Sequence, residues 1–303
     1  MSNLLEPITI GGKLPLRNRI VMGSMTRNRC IDDNKPGPAQ IKHYADRAKY
    51  GTGLIVTEGT FVDWTGCDWK HAPFMVTQDH ADAWQKVTDA GHTDNIEAIT
   101  DVQSVIGTYR RSCELAKSAG FDGVELLAQG RANHRTDEYG GSVENRCRFT
   151  LELVDAIAAV FNGPEYICVK INPTDHLNDS IVDFGEMKET YTYLITELVK
   201  RKIGIINLGR RGAETSPGSG EFFGPLPRPE GYPLPRGYDP VLDFGKLVKF
   251  PGSPTLLMAN HDYTVEAADA LVGAGKLDMI TFARAFIHNP VSSPTLTSSI
   301  LTG

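Results

Sequence analysis

Short apolar runs alternate along the chain with longer stretches whose apolar positions recur every three or four residues. The first kind reads as strands buried on both faces, the second as helices with one buried face. Residues 4–19, with Gly11-Gly12 at a tight turn, predict a small N-terminal β-hairpin. Strands are predicted at 20–25, 54–58, 121–127, 166–171, 204–208, 255–259 and 279–282. Helical periodicity covers 39–50, 80–91, 100–119, 142–161, 184–200 and 265–273. Local signals set several ends. Gly51-Thr52-Gly53 stops the first helix, Asp101 lies in the first turn of the third, and Ser142 is a good N-cap with Asn145 three residues on. Strands alternating with helices of this length predict an α/β fold, either a barrel or an open parallel sheet. The pattern alone does not separate the two.

Composition narrows the function classes. A length of 303 residues is ordinary for one barrel, and 1–303 reads as a single domain. The hydrophobic share of 41% and charged share of 22% are those of a soluble globular protein. A net charge of −6 without any Lys/Arg run argues against a nucleic-acid surface. No apolar stretch reaches membrane-span length, and no basic-then-apolar leader opens the chain. Cys30, Cys67, Cys113, Cys147 and Cys168 are odd in number and widely spaced, without a Cys-x-x-Cys, so they read as reduced thiols of a cytoplasmic protein. No His/Asp/Glu cluster has metal-ligand spacing, and no Gly-x-Ser-x-Gly elbow is present.

The most specific stretch is polar. Asn133-His134-Arg135-Thr136-Asp137-Glu138-Tyr139-Gly140-Gly141-Ser142-Val143-Glu144-Asn145-Arg146-Cys147-Arg148-Phe149 follows the strand Phe121-Asp122-Gly123-Val124-Glu125-Leu126-Leu127 and opens the helix at 142. Asp137 and Gly140-Gly141 supply its tight turn. As a string it resembles the signature of the old yellow enzyme family, flavin-dependent ene reductases built on a TIM barrel. The resemblance covers nearly the whole chain. It implies a TIM (β/α)8-type barrel with an N-terminal β-hairpin, an FMN cofactor, and NADPH or NADH as hydride donor. The small-molecule substrate it implies is an activated alkene, such as an enone, or a quinone.

The resemblance also implies site residues. Ser24, Met25 and Thr26 fall at the end of the first strand, under the ring, with the Thr26 hydroxyl near the flavin O4 edge. A simple strand-end cap is the plainer reading of Thr26. Gly59, in Glu58-Gly59-Thr60, matches a glycine whose backbone approaches the ring closely, so that a Cβ would clash; a turn glycine is the alternative. Lys170 stands where the family usually carries arginine, a cation beside N1/O2 that stabilises the reduced ring. Lysine keeps the charge and loses the planar fork. A charged residue inside an otherwise apolar strand is also hard to explain structurally. Ala259 and Asn260, with Ala283 and Arg284, fall at the ends of the last two strands, where the family cradles the phosphate. Arg284 keeps the cation and Asn260 keeps an amide. Ala259 and Ala283 replace glycines, at little cost if φ is negative and about 1–2 kcal/mol if it must be positive.

The chain departs from the family in two places, both on the active-site face. Only seven core strands are predicted. The third of eight belongs in His92-Thr93-Asp94-Asn95-Ile96-Glu97-Ala98-Ile99, which is short and polar for a buried parallel strand. It reads as a link between helices, with a stunted strand at 95–99 as the alternative, and the family's Gln-x-Trp-His motif is absent. A missing strand leaves open edges, which predict a homo-oligomer. The second departure follows Glu125. Leu127, Gly130 and Ala132 occupy the family's His, Asn and Tyr positions, and the loop before Asn133 is markedly shorter. Gln129, Arg131 and His134 are candidate substitutes, more plainly read as loop residues. The Pro-rich stretch 212–240 reads equally as a substrate lid and as a rigid surface loop. Two functions follow: an FMN-dependent NAD(P)H oxidoreductase with impaired alkene reduction, or a flavin-poor binding or interaction protein on the same scaffold.

Overall fold

The computed structural model describes residues 2–49, 52–64, 67, 69–88, 101–128, 133, 135–175, 181–210, 228–261 and 263–283. Strands β1 (Ile8–Ile10) and β2 (Leu14–Leu16) form the expected antiparallel hairpin. Gly11 and Gly12 turn it with φ of 54° and 70°, a backbone that side chains with a Cβ rarely adopt. The remaining strands are β3 (Ile20–Met22), β4 (Leu54–Ile55), β5 (Val124–Leu127), β6 (Ile167–Ile171), β7 (Ile205–Gly209), β8 (Leu256–Asn260) and β9 (Met279–Phe282). They form one parallel sheet in the order β4-β3-β9-β8-β7-β6-β5. The first strand of the series pairs with the last, Val21 opposite Thr281, and the rest follow in chain order. That is the connectivity of a (β/α) barrel rather than of an open doubly wound sheet.

The ring is open at one place among the described residues, between β4 and β5. This is where the sequence comes up one strand short. The linking segment 92–99 lies outside the described residues, and so does the choice between a helix link and a stunted strand.

Helices α1 (Pro38–Lys49), α2 (Gln78–Thr88), α3 (Val102–Ser118), α4 (Val143–Phe161) and α5 (Phe184–Lys200) match the periodic stretches. The short α6 (Pro240–Phe244) and α7 (Val265–Gly273) complete the series. Their starts follow the capping chemistry. Asp101, Ser142, Asp183, Asp239 and Thr264 each accept a backbone N–H of the first turn with a side-chain oxygen. Helix α6 was not expected from periodicity. Asp239 and Pro240 nucleate it at the end of the Pro-rich stretch, with proline at the first helical position, where its missing N–H costs nothing.

Two apolar layers result. One lies between sheet and helices and includes Met22, Trp84, Leu126, Val169, Leu208, Ala259 and Ile280. The other fills the barrel interior with Val21, Cys168, Ile205, Met258 and Met279, and the hairpin closes that end with Ile10 and Leu16. Strand alternation therefore decides which residues enter the interior. Strand β4 is shorter than the predicted 54–58. The Val56 N–H still donates to the Met22 carbonyl, and two residues on Glu58 holds the neighbouring loop through the Arg27 and Asn28 N–H groups.

Candidate active site

Interior positions recur every second residue, so the polar side chains near the C-terminal strand ends can be placed from register. Glu125 pairs with Cys168, and one layer further on Leu127, Lys170, Asn207 and Met258 stand side by side. Asn260 pairs with Gly209 across β7 and β8, and Thr281 lies on β9. Loops leaving β3 and β4 add Ser24, Met25, Thr26 and Gly59. The structure thus brings the sequence-predicted residues to one end of the barrel, the C-terminal end of its strands, where βα loops build active sites. Arg284 lies outside the described residues, as do Gln129, Gly130, Arg131, Ala132, His134 and 211–227.

Lys170 is half-buried, and its ammonium has no hydrogen bond or ion pair among the described residues. A cation held inside a barrel without a counter-ion is costly unless an anionic or polar group completes it. Gly59 is unusual in a different way. Its φ is not positive, and a Cβ built on it would meet nothing within 4 Å. Neither turn geometry nor protein packing requires a glycine there. Gly23 differs: a Cβ there would strike the Thr281 methyl group.

Ser24 and Met25 are half-buried and Thr26 is exposed, with Met25 packed partly against the sheet–helix core. Their loop is tied down by a residue that strand propensity alone does not flag. Glu58 is 2% exposed, and its Oε2 accepts the backbone N–H groups of Arg27 (2.7 Å) and Asn28 (3.2 Å). Its own N–H donates to the Tyr44 hydroxyl at 2.9 Å. Burial pushes the Glu58 carboxyl up to about 7, opposed by the Arg27 and Asn28 amides. Its Oε1 is buried without a hydrogen-bond partner.

Ala259 and Ala283 do not have positive φ, so alanine costs little at either position. Ala259 is fully buried towards the helices. The left-handed backbone falls two residues on, at His261, with φ of 70°. Asn260 is 4% exposed, and its Nδ2 donates to Asn207 Oδ1 at 2.6 Å. Asn207 Nδ2 in turn donates to Glu125 Oε2 at 2.9 Å. Asn260 Oδ1 and Thr281 Oγ1 are buried with no hydrogen-bond partner. Glu125, Asn207 and Thr281 were absent from the sequence reading of the site. Their signal was present: each is a polar residue at an alternate position of an apolar strand.

Leu127 is 57% exposed at the mouth, beside Lys170 in register. An exposed leucine there supplies bulk and no hydrogen-bond donor.

Comparison with known proteins follows the same lines. The profile of the NADH:flavin oxidoreductase / NADH oxidase family matches residues 3–100 and 95–216. The chain belongs to this family, that of the old yellow enzymes. The family's two matched segments overlap at 95–100, within and just after the polar link 92–99. A relative from Leishmania infantum named as a probable flavin mononucleotide-dependent alkene reductase is 28% identical, over 95% of this chain and 88% of its own. The 12-oxophytodienoate reductase 1 of Oryza sativa subsp. japonica is 26% identical, over 95% and 84%. Among solved structures, an old yellow enzyme homologue from Zymomonas mobilis superposes with a TM-score of 0.81, covering 98% of this chain and 92% of that one at 24% identity, which speaks to the fold. Morphinone reductase in complex with tetrahydroNAD gives 0.78, with 99% and 92% covered at 25% identity. As a member of the old yellow enzyme family the chain is a flavin oxidoreductase, with FMN and a nicotinamide as its cofactors. No helix among the described residues is long and apolar enough to cross a membrane.

The described residues fit an FMN on three counts. Among the described residues the Lys170 cation has no hydrogen bond or ion pair, a Cβ on Gly59 would meet nothing within 4 Å, and two buried oxygens lack a hydrogen-bond partner.

Proposed function

We propose that this flavin oxidoreductase takes hydride from NADPH or NADH readily and reduces enones poorly, so that quinones or oxygen are its better acceptors. The observation that carries this is Leu127, an exposed apolar side chain at the mouth of the site where the family resemblance expects a histidine. Thr26, Gly59, Lys170, Asn260 and Arg284 would hold the cofactor, with Ser24, Met25 and Ala283 lining it; Ala259, whose side chain packs towards the helices, could reach it only through its backbone. When bound, the flavin supplies a two-electron carrier between the nicotinamide and the acceptor. Lys170 would place its positive charge where negative charge collects on the reduced ring. Gly59 would let the backbone come into contact with the ring.

Enone reduction makes a further demand. Negative charge develops on the carbonyl oxygen as hydride arrives, and an acid must then protonate the α-carbon. Losing one such oxygen donor typically costs about 10²–10³ in rate, and losing a positioned acid a further ~10²–10⁴. Leu127 can do neither. A quinone carries its own electron-accepting conjugation and takes its protons from solvent, so it is spared most of this loss.

Stopped-flow reduction of the flavin by NADPH and by NADH, followed by reoxidation with cyclohexenone or menadione, tests the reading. Fast reduction, fast reoxidation by menadione and slow reoxidation by cyclohexenone are expected. Fast cyclohexenone turnover would mean that Gln129, Arg131, His134 or the Pro-rich stretch supplies the missing groups. The same Leu127 also favours a second reading, a flavin-poor binding protein, which purified protein without yellow colour would support.

A further inference from the structure

We infer that Glu125 sets the polarity of the barrel floor, turning the Asn260 carbonyl oxygen into an acceptor for a hydroxyl on the polyol chain of the bound flavin. The inference rests on the flavin reading above. It starts from a hydrogen-bond chain that crosses four consecutive strands. Cys168 Sγ on β6 donates to Glu125 Oε2 on β5 at 3.4 Å. Asn207 Nδ2 on β7 donates to the same oxygen at 2.9 Å, and Asn260 Nδ2 on β8 donates to Asn207 Oδ1 at 2.6 Å.

An amide side chain can usually be turned over without much change in shape, exchanging its oxygen for its nitrogen. Here that freedom is removed from one end. Glu125 Oε2 accepts from both Cys168 and Asn207, so Asn207 presents its NH2 to Glu125. Its oxygen is then the group facing Asn260, and Asn260 must donate to it. The one remaining end of the chain is Asn260 Oδ1. It is buried and has no partner. An unsatisfied buried acceptor is relieved only by a donor.

This orientation separates Asn260 from a phosphate contact through its side chain, because an ionised phosphate is itself an acceptor. The strand order indicates which flavin donor is in reach. Lys170, on β6, is placed to serve the ring, and the phosphate residues are expected beyond β9. Asn260 stands between them on β8. The part of FMN that joins ring to phosphate is the ribityl chain, whose hydroxyls are donors. Asn260 thus contacts the cofactor, and Glu125 and Asn207 are positioning residues that act through it.

Three flavins divide the outcomes: FMN, riboflavin, which lacks the phosphate, and lumiflavin, which lacks the whole polyol chain. Each is titrated by fluorescence quenching against the full chain freed of flavin, with thermal melting as the check on folding. Asn260→Leu is expected to weaken FMN and riboflavin by the same factor, about threefold to tenfold, and to leave lumiflavin unchanged. Glu125→Leu should give the same pattern and add nothing in the Asn260→Leu background. Glu125→Gln, whose oxygen can still accept from Asn207, should remain near wild type. Asn260→Ser replaces Asn260→Leu if the larger side chain prevents folding. Weakening of FMN alone would place Asn260 against the phosphate, and equal weakening of all three would place it against the ring; either overturns the inference. So does an unchanged affinity in Asn260→Leu or Glu125→Leu. A wild-type chain that binds none of the three overturns instead the flavin reading beneath it.

Discussion

Gly59 and Lys170 are both exceptions to what their strands require, and each exception can be read energetically. An apolar strand gains nothing from a lysine, and a backbone outside the left-handed region gains nothing from a glycine. For Gly59 the two roles of a residue, folding and binding, can be separated by one methyl group. Gly59→Ala adds a Cβ into open space at a φ that alanine tolerates. Replacing glycine there lowers the entropy of the unfolded chain, so stability should hold or rise by up to about 1 kcal/mol. FMN affinity should fall at least tenfold if the ring lies against this backbone. Urea unfolding and flavin titration of the same preparation check both halves. An alanine variant that retains FMN normally would move the ring elsewhere.

At the scale of elements, Glu58 is the joint between the β4 end, the loop after β3 and helix α1. One carboxylate oxygen satisfies two loop N–H groups, and the Tyr44 hydroxyl accepts from the Glu58 backbone. Burial raises the carboxyl from its ordinary value of 4.5 to about 7, so the folded protein keeps this proton to higher pH than the unfolded chain does. Its contribution to stability is therefore fully present below 4.5 and is lost as pH rises through about 7. The bound on that loss is roughly 3 kcal/mol. Other carboxyls run the opposite way: Arg135 holds Asp137 down at about 2, so wild-type stability alone would mix the signs. The difference between wild type and Glu58→Gln isolates the one group. Unfolding free energies at pH 5 and pH 8 should show wild type losing stability relative to the variant at the higher pH. A difference that does not change with pH would mean that Glu58 titrates normally.

For the whole molecule, the feature with consequences is the opening between β4 and β5 among the described residues. The outer edges of β4 and β5 have no strand partner among the described residues. Unpaired N–H and C=O groups at a sheet edge are satisfied by water, by loops or by another chain. We read residues 1–303 as one domain that covers these edges by self-association. Sedimentation velocity over a hundredfold range of concentration is expected to show a dimer or larger species. A monomer throughout would mean that the chain covers the gap by itself.

Much of the architecture was legible without coordinates, because it depends on local periodicity and capping. Helix Phe184–Lys200, helix Val265–Gly273 and strand Met279–Phe282 fall where the apolar period places them. The opening between β4 and β5 among the described residues falls where the sequence carries the polar stretch 92–99, which costs more to bury as a parallel strand than an apolar run does. Lys170 stood out as a charged residue in an apolar run, Asn260 through the family resemblance, and Leu127 as a gap in the expected chemistry. What only the tertiary structure decided depends on partners far apart in sequence. The pairing of β3 with β9 joins the first strand of the series to the last, although 260 positions separate Val21 from its register partner Thr281. Asn260 reads from the sequence as an amide with a free donor. The fold spends that donor on Asn207 and leaves the buried oxygen without a partner, because Glu125, remote in the chain and adjacent in the barrel, accepts from Asn207.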